Sequence, residues 1–248
     1  MLRSALLTAC LCACAPLDPG APDLPTADVE PVARAFALVQ PDQALALLED
    51  PELWLPADAV CPALFVADDG REVWQGGCAL TDGTRILGAL ERFRDAEGAW
   101  VAGTGFEVIG PDGELLALLD GAVELVSYGE LLGIGASYTG CGPARACALG
   151  VPTVDLALTL FPWSGWPRRY DLTADGVVAG PDLAPTAVYG AWSVERAGCP
   201  DEPTSGSLSI AGAAPWSLDF DGALTCDGCA ALGFEGLPAG PACAAWLD

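Results

Sequence analysis

The chain has 248 residues, with 34 acidic side chains against ten basic ones, and it contains no histidine. All ten basic residues are arginine, and the formal net charge is −24. Without histidine or lysine there is no Ser-His-Asp triad, no imidazole metal ligand and no Schiff-base lysine, and such a charge repels a nucleic-acid backbone. We therefore expect no enzyme of these types, no nucleic-acid partner, no metal and no cofactor.

The N-terminus has the order of a secretory signal peptide over residues 1–13. Arg3 precedes an apolar stretch, and the chain then turns polar and rich in proline. The segment Leu11-Cys12-Ala13-Cys14 resembles the lipobox of bacterial lipoproteins. The resemblance implies cleavage before Cys14, a lipid on Cys14 and anchoring to a membrane of the bacterial cell envelope. Ala15 as the following residue implies the outer membrane.

A second segment, Leu7-Thr8-Ala9-Cys10, fits the same lipobox pattern. Acylation at Cys10 leaves an apolar region shorter than the usual span of about 7–15 residues, so we favour Cys14. Residues 14–28 then form a tether with four prolines and few apolar side chains to bury. Such a segment is extended and semi-rigid, and reaches roughly 40 Å at about 3.1 Å per residue.

Residues 29–51 are predicted to form a short helical element. Val32, Phe36 and Val39 recur at helical spacing, and a second short helix follows Pro41. One apolar face on each helix is expected to pack against the rest of the domain.

Residues 52–248 are predicted to form an antiparallel all-β domain, either a sandwich or a curled meander, with 52–148 and 149–248 as an alternative division into two units. Apolar residues alternate with others over several runs, most clearly over 154–160, and Asp-Gly pairs between such runs favour hairpins. Gly133–Ser137 is interpreted as a glycine-rich connection. The seven Asp-Gly pairs begin at Asp69, Asp82, Asp112, Asp120, Asp175, Asp221 and Asp227. The predicted strands lie near 63–67, 72–75, 84–94, 99–109, 114–119, 122–128, 153–161, 169–173, 186–196, 207–211 and 216–220.

Eight cysteines remain after removal of the signal peptide and acylation of Cys14, and an even number in an exported chain predicts disulfides. A hairpin brings Cys61 towards Cys78, and Cys141 and Cys147 flank a Gly-Pro turn. The other four are expected to pair so that Cys199 takes one member of the 226/229 pair and Cys243 the other. The eight are Cys61, Cys78, Cys141, Cys147, Cys199, Cys226, Cys229 and Cys243.

Two more specific interpretations, a redox or zinc motif at 226–229 and a calcium loop at 171–182, have less support than a structural role. Cys226-Asp-Gly-Cys229 also fits a redox motif or half of a zinc site, although an oxidising compartment favours disulfides. Asp171–Asp182 resembles the first half of an EF-hand calcium loop, with oxygens at the first, third and fifth positions and glycine at the sixth. Ala179 and Pro181 depart from that family's pattern. A hairpin turn at Asp175-Gly176 explains the same residues, and we favour it.

The segment 161–170 stands apart because it places four aromatic residues and the chain's one Arg-Arg pair within ten residues. One interpretation is a hairpin connection whose tryptophans cover the core. The other is a recognition loop, since tryptophan and arginine dominate binding hot spots. Its candidate residues are Trp163, Trp166, Arg168, Arg169 and Tyr170.

Three classes of function follow from these observations. The favoured one is a non-enzymatic surface binding or structural protein with a protein or glycan partner. The first alternative is a β-barrel that carries an apolar ligand inside. The second is a hydrolase that uses carboxylates alone, which needs two acids about 5–9 Å apart in one cleft; acidic pairs such as Asp68-Asp69 are candidates.

Overall fold

The computed structural model describes residues 30–49, 54–56, 60–142, 146–164, 168–200, 202–211, 215–221, 226–243 and Trp246. The predicted signal peptide, the candidate lipid site Cys14, its tether and Trp166 lie outside the described residues. Within the described ranges, no helix has the length and apolar character needed to cross a membrane.

The predicted helical element consists of α1 (Glu30–Leu38) and α2 (Asp42–Glu49). Each helix carries its apolar residues on one face, and Phe36 and Leu47 are completely buried. Pro41 separates the two helices, since a proline ring is incompatible with a continuous helix at that position.

Fourteen strands are present in the described part of the chain. They are β1 (Ala63–Val66), β2 (Glu72–Gln75), β3 (Cys78–Ala79), β4 (Arg85–Arg94), β5 (Gly98–Ile109), β6 (Leu115–Tyr128), β7 (Leu131–Cys141), β8 (Thr153–Pro162), β9 (Arg169–Gly180), β10 (Leu183–Glu195), β11 (Ser205–Ala211), β12 (Pro215–Phe220), β13 (Cys229–Phe234) and β14 (Leu237–Cys243). A short 3-10 helix spans Cys147–Leu149.

All fourteen strands belong to one antiparallel sheet in which neighbours in sequence are neighbours in space. The order runs from β1 to β14, with the two-residue β3 paired to β4 beside β2. The expected all-β antiparallel fold is thus confirmed, and the meander is the form that it takes.

One face of the sheet packs on the helices and the other faces solvent. In β8 the residues Val154, Leu156, Leu158 and Leu160 are buried while those between them are exposed. This alternation arises because successive side chains of a strand point to opposite faces. Helix α1 packs on β9, β10 and β11, and α2 on β5 and β6. The helices thereby fill the inner side of the sheet.

Aromatic rings concentrate around Phe36 at the centre of this core. Its ring centroid lies 5.4 Å from that of Trp192, 5.2 Å from that of Phe220 and 5.6 Å from that of Trp246. The four rings come from α1, β10, β12 and the C-terminal segment, so this one cluster joins distant parts of the chain.

Arginines join the helices to the sheet at the edge of the core. Arg34 of α1 forms an ion pair with Asp182 at 2.7 Å, and Arg196 beyond β10 forms one with Asp42 of α2 at 3.0 Å. Both pairs are exposed enough that each contributes little to stability by itself.

Two of the predicted Asp-Gly hairpins are wrong. Asp69, Asp82 and Asp112 do begin turns between strands, but β6 continues through Asp120-Gly121 and β9 through Asp175-Gly176. Gly176 has a φ of +153°, and a Cβ there would lie 2.1 Å from the carbonyl oxygen of Asp155 on β8. Glycine is therefore needed here because two strands approach closely. A turn also favours glycine after aspartate, so the Asp-Gly dipeptide alone does not distinguish the two.

Strands β7, β13 and β14 were not among the predicted strands. Gly133–Ser137, interpreted as a connection, lies in the middle of β7, and β14 contains Pro238 and Pro241. Glycine, alanine and proline have low strand propensity, so these segments form strands because their neighbours supply hydrogen-bonding partners.

Four disulfide bonds are present among the described residues, as the cysteine spacing predicts. They join Cys61 to Cys78, Cys141 to Cys147, Cys199 to Cys226 and Cys229 to Cys243. Cys226 and Cys229 bond to different partners, so they do not form a redox disulfide with each other. Structural disulfides of this kind indicate an extracytoplasmic protein.

Candidate binding cleft

The aromatic segment forms one wall of a surface cleft where β8 ends and β9 begins. The backbone N–H of Trp163 donates a hydrogen bond to the Arg169 carbonyl at 3.1 Å, which extends the β8–β9 pairing by one step. Leu160 points into the core, so by strand alternation Phe161 and Trp163 project from the solvent face.

Strand register arranges the outer side chains here in two transverse rows. The first row is Trp163, Arg169 and Glu195, since Arg169 lies opposite Glu195 across β9 and β10. The second row lies two residues further along each strand, away from the strand ends. It consists of Phe161, Asp171, Ser193 and Ser205, which face one another across β8, β9, β10 and β11.

Trp163 is held in place but remains open to solvent. Its ring meets the Phe161 ring edge to face, with centroids 5.3 Å apart and an interplanar angle of 72°. The Arg169 guanidinium carbon lies 5.5 Å from the Trp163 ring centroid, within cation–π range. With 44% of its surface exposed, Trp163 keeps an aromatic face available to a ligand.

Polar groups line the rest of the cleft, which has a volume of about 340 Å³. Ser193 Oγ donates a hydrogen bond to Asp171 Oδ1 at 2.7 Å. Thr204 Oγ1, just before β11, donates to the Ser193 carbonyl at 3.2 Å, which places a side chain from a third segment at the cleft. Carboxylates, hydroxyls and an indole thus converge on one concave surface.

Charge in the cleft is net negative. Arg169 Nε lies 3.9 Å from Glu195 Oε2, so an acidic neighbour offsets its charge, and Asp171 adds a second carboxylate. The Arg168-Arg169 pair would supply a cationic spot for an anionic group if neither guanidinium had an acidic neighbour. The paired Arg169 does not provide one, because an anion entering the cleft meets two carboxylates against one guanidinium.

The predicted recognition residues separate in the structure. Trp163 and Arg169 line the cleft, whereas Arg168 is exposed beside it. Tyr170 points to the inner face and is 2% exposed, so contrary to expectation its ring belongs to the core. Burial raises the pKa of Tyr170 to about 12, with a smaller contribution from the nearby negative charge of Asp42.

Sequence analysis missed the cleft residues that come from other strands. Asp171, Ser193, Glu195 and Thr204 are separated by up to 33 positions (204 minus 171) and join only through pairing of β9, β10 and β11. Alternation predicts that Ser193 and Glu195 share a face of β10. The register that places them beside Trp163 is a property of the sheet.

The other candidate sites take structural roles. The calcium-like segment Asp171–Asp182 lies in strand β9 as far as Gly180, so Asp171, Thr173 and Asp175 follow one another on the outer face rather than around a loop. The favoured hairpin at Asp175 is absent there too. Asp69 accepts hydrogen bonds from the backbone N–H and guanidinium of Arg71, which lower its pKa and keep the carboxylate ionised.

Cys199, Glu202 and Cys226 also approach one another within 4.8 Å. The two sulfurs are bonded to each other, and a disulfide sulfur is not a thiolate ligand. Glu202 is 4% exposed. Burial raises its pKa, against the opposing effect of hydrogen bonds from the N–H groups of Gly228 and Cys229. This cluster is a disulfide beside a buried acid.

No family model, no curated protein and no solved structure matches the chain significantly. The cleft and the surface of the sheet are therefore the features of the molecule that bear on its function.

Proposed function

We propose that the chain is a non-enzymatic binding module of the bacterial cell envelope, and that the cleft beside Trp163 binds a glycan. The observation that carries this proposal is the first row, in which an exposed indole stands beside a guanidinium and a carboxylate. An aromatic face packs against the C–H face of a sugar ring, and the charged groups form strong hydrogen bonds with its hydroxyls.

Charge favours a neutral glycan over an anionic one. Asp171 and Glu195 accept hydrogen bonds and Arg169 donates them, while the hydroxyl oxygens of Ser193 and Thr204 can accept them because their own protons are donated within the protein. This mixture suits a ligand rich in hydroxyl groups, each of which both donates and accepts. An anionic polymer would in addition be repelled by the chain, which has a net charge of −24.

The carrier hypothesis has less support. It requires an apolar cavity on the inner side of the sheet, and in the described structure that side is occupied by α1, α2 and buried aromatic rings such as Phe36 and Trp192.

Binding is tested by titrating chitotetraose, cellotetraose, maltotetraose and a sulfated heparin tetrasaccharide into the mature chain from residue 15, with calorimetry as the readout. We expect millimolar or tighter binding of at least one neutral sugar, and a loss of at least about tenfold in Trp163→Ala. Tyr189→Ala is the matched control, because Tyr189 is an aromatic residue on the same face and is 69% exposed.

Two results contradict the glycan proposal. One is the absence of binding heat for every neutral sugar at concentrations up to about 10 mM. The other is an equal loss of affinity in Trp163→Ala and Tyr189→Ala, since this separates binding from the cleft. Preferential binding of the sulfated sugar assigns the site to anions instead.

A carboxylate hydrolase is the second candidate, because the cleft does hold two acids. Asp171 lies opposite Ser193, so Glu195 is its diagonal neighbour across β9 and β10, a spacing of about 7–8 Å between backbones. Acidic side chains on backbones at such spacing can bring their carboxyl groups to the separation of about 5–9 Å that glycoside hydrolysis needs. Asp171 accepts a hydrogen bond from Ser193 and Glu195 lies beside Arg169, so both acids already have partners within the cleft, and we place binding first. Release of shorter sugars, abolished in Asp171→Asn, would reverse this order.

The envelope location rests on the lipobox resemblance and the four disulfides. Labelled palmitate should enter the wild-type chain and be absent from Cys14→Ser. Label that persists in Cys14→Ser and disappears in Cys10→Ser moves the lipid to Cys10. An unlabelled wild-type chain contradicts the anchor, without affecting the glycan test on the soluble mature chain.

A further inference from the structure

The two edges of the sheet differ in how they are protected against pairing with another strand. The β14 edge contains Pro238 and Pro241, which have no N–H to donate, and its pairing with β13 is interrupted by a bulge next to Gly233. Prolines and bulges are devices that keep sheet edges from associating. The β14 edge is thus closed to a further strand.

The β1 edge has none of these devices. Its four residues, Ala63-Leu-Phe-Val66, contain no proline, charge or bulge, and β1 pairs with β2 alone among the described strands. Leu64, Phe65 and Val66 are 53%, 58% and 67% exposed, so apolar side chains reach solvent on both faces of the strand. The disulfide from Cys61 to Cys78 fixes the start of this strand beside the sheet.

Backbone groups of β1 that point away from β2 can be assigned from the hairpin. The Ala67 N–H donates to the Arg71 carbonyl at 2.8 Å, which makes 67 and 71 a hydrogen-bonded pair. Because such pairs alternate along an antiparallel ladder, Phe65 is the next residue bonded to β2. Leu64 and Val66 therefore direct their N–H and C=O groups to the free edge.

We propose that this edge pairs with β1 of a second copy of the chain, as an antiparallel dimer centred on Phe65. In this register Leu64 lies opposite the partner's Val66 and Val66 opposite the partner's Leu64. Four backbone hydrogen bonds result, and the two Phe65 rings meet at a non-hydrogen-bonded position, where side chains approach most closely. Because a two-fold axis relates the two copies, the same strand of each chain forms both sides of the interface.

Other antiparallel registers use the edge less well. Centring the axis on Leu64 places Val66 opposite Pro62, which has no N–H, and centring it on Val66 places Leu64 opposite Asp68 in the hairpin turn. The register centred on Phe65 is the one in which both outward-facing residues find complete partners.

Local charge also permits the approach of a second copy at this edge. The net charge of −24 disfavours self-association over most of the surface. Beside β1, however, Arg71 pairs with Asp69 at 2.8 Å and with Glu91 at 3.2 Å, and Arg92 pairs with Glu72. Two of the ten arginines thus offset acids next to the edge. Dimerisation should still strengthen with salt, which screens the remaining repulsion.

Sedimentation velocity of the mature chain from residue 15, at 10 µM to 1 mM protein and in 0.05 M and 0.5 M NaCl, tests the proposal. We expect a weak monomer–dimer equilibrium, with an association constant that falls at least about tenfold in Val66→Pro. Proline at this position removes an N–H that faces the partner and leaves the β1–β2 bonds intact. Leu237→Lys at the opposite edge is the control and should dimerise as the wild type does.

The register is tested by air oxidation, at 100 µM protein, of variants that each add one free cysteine to the eight in disulfides. Phe65→Cys should form a disulfide-linked dimer, because opposed residues at the axis lie about 4.5 Å apart at Cα. Leu64→Cys should not, since its copies are separated by a diagonal beyond the reach of a disulfide. A chain that is monomeric at 1 mM, equal dimerisation of the wild type and Val66→Pro, or equal crosslinking at 64 and 65 would each overturn the proposal.

Discussion

Arg94 on β4 donates a hydrogen bond from Nη2 to the carbonyl oxygen of Leu48, 46 residues earlier, at 3.0 Å. Leu48 belongs to the last turn of α2, where carbonyl groups have no partner within the helix. The guanidinium also places positive charge at the negative end of the helix. The arginine thereby joins α2 to a strand and completes the end of that helix.

Replacing Arg94 by alanine should lower the free energy of unfolding by about 1 kcal/mol, because one carbonyl loses its donor and the helix end loses a favourable charge. Urea denaturation of the mature chain measures this change. Arg85→Ala, an exposed arginine on the same strand, is the control and should stay within about 0.5 kcal/mol of the wild type. Equal effects of the two substitutions would argue against a cap.

Gly176→Ala should destabilise the chain by about 2 kcal/mol or more, since its Cβ would lie 2.1 Å from the Asp155 carbonyl oxygen and its φ is +153°. Gly135→Ala on β7 is the matched control, because a Cβ there meets no atom within 4 Å. That variant should unfold at the wild-type urea concentration or slightly above it. If both variants behave alike, close approach of β8 and β9 is not the reason for the glycine.

Removal of a single disulfide should cost more stability when the loop that it closes is longer, with a logarithmic dependence on loop length. The Cys199–Cys226 bond spans 27 residues and the Cys141–Cys147 bond spans six. On the chain-entropy model the paired serine variants lose about 3.5 and about 2 kcal/mol respectively. Urea denaturation without reductant measures both, and the reverse order of stability would contradict the model for this protein.

Stability should fall as the pH rises from about 10 to about 12, because Tyr170 ionises in the unfolded chain before it does so in the folded one. The neutral phenol is the form that the core accommodates. Its contribution is complete below pH 10 and is lost as the pH approaches the folded-state pKa. Brief urea titrations up to pH 11 should show a shallower slope in Tyr170→Phe than in the wild type. Identical slopes would mean that another group is responsible.

Phe36→Ala should lower stability by about 3–5 kcal/mol, since it opens a cavity between three aromatic rings. Leu149→Ala is the comparison, because Leu149 is 70% exposed and its truncation removes little buried surface. Thermal melts of both variants under oxidising conditions give the result. A Phe36→Ala change below about 1 kcal/mol would show that the helices contribute little to the core.

The sequence predicts those parts of the fold in which the residue pattern of a single strand shows which of its faces is buried. Val154–Leu160 alternates because one face of β8 is buried, and no neighbour is needed to see it. Asp175-Gly176 could not be assigned in this way, since a turn and a close strand contact both call for glycine. Trp163 and Arg169 were visible as an unusual composition. Their partners Ser193 and Glu195 depend on register, which one strand does not encode alone.

Each disulfide in this chain joins a cysteine to the next one along the sequence within the described residues: 61 with 78, 141 with 147, 199 with 226, and 229 with 243. The strands follow the same rule, since almost every one pairs with the strand made just before it. A polypeptide that is made from its N-terminus can therefore complete each hairpin and each cross-link in the order in which its residues appear. Joining these eight cysteines in order of appearance yields the four observed bonds without a later rearrangement.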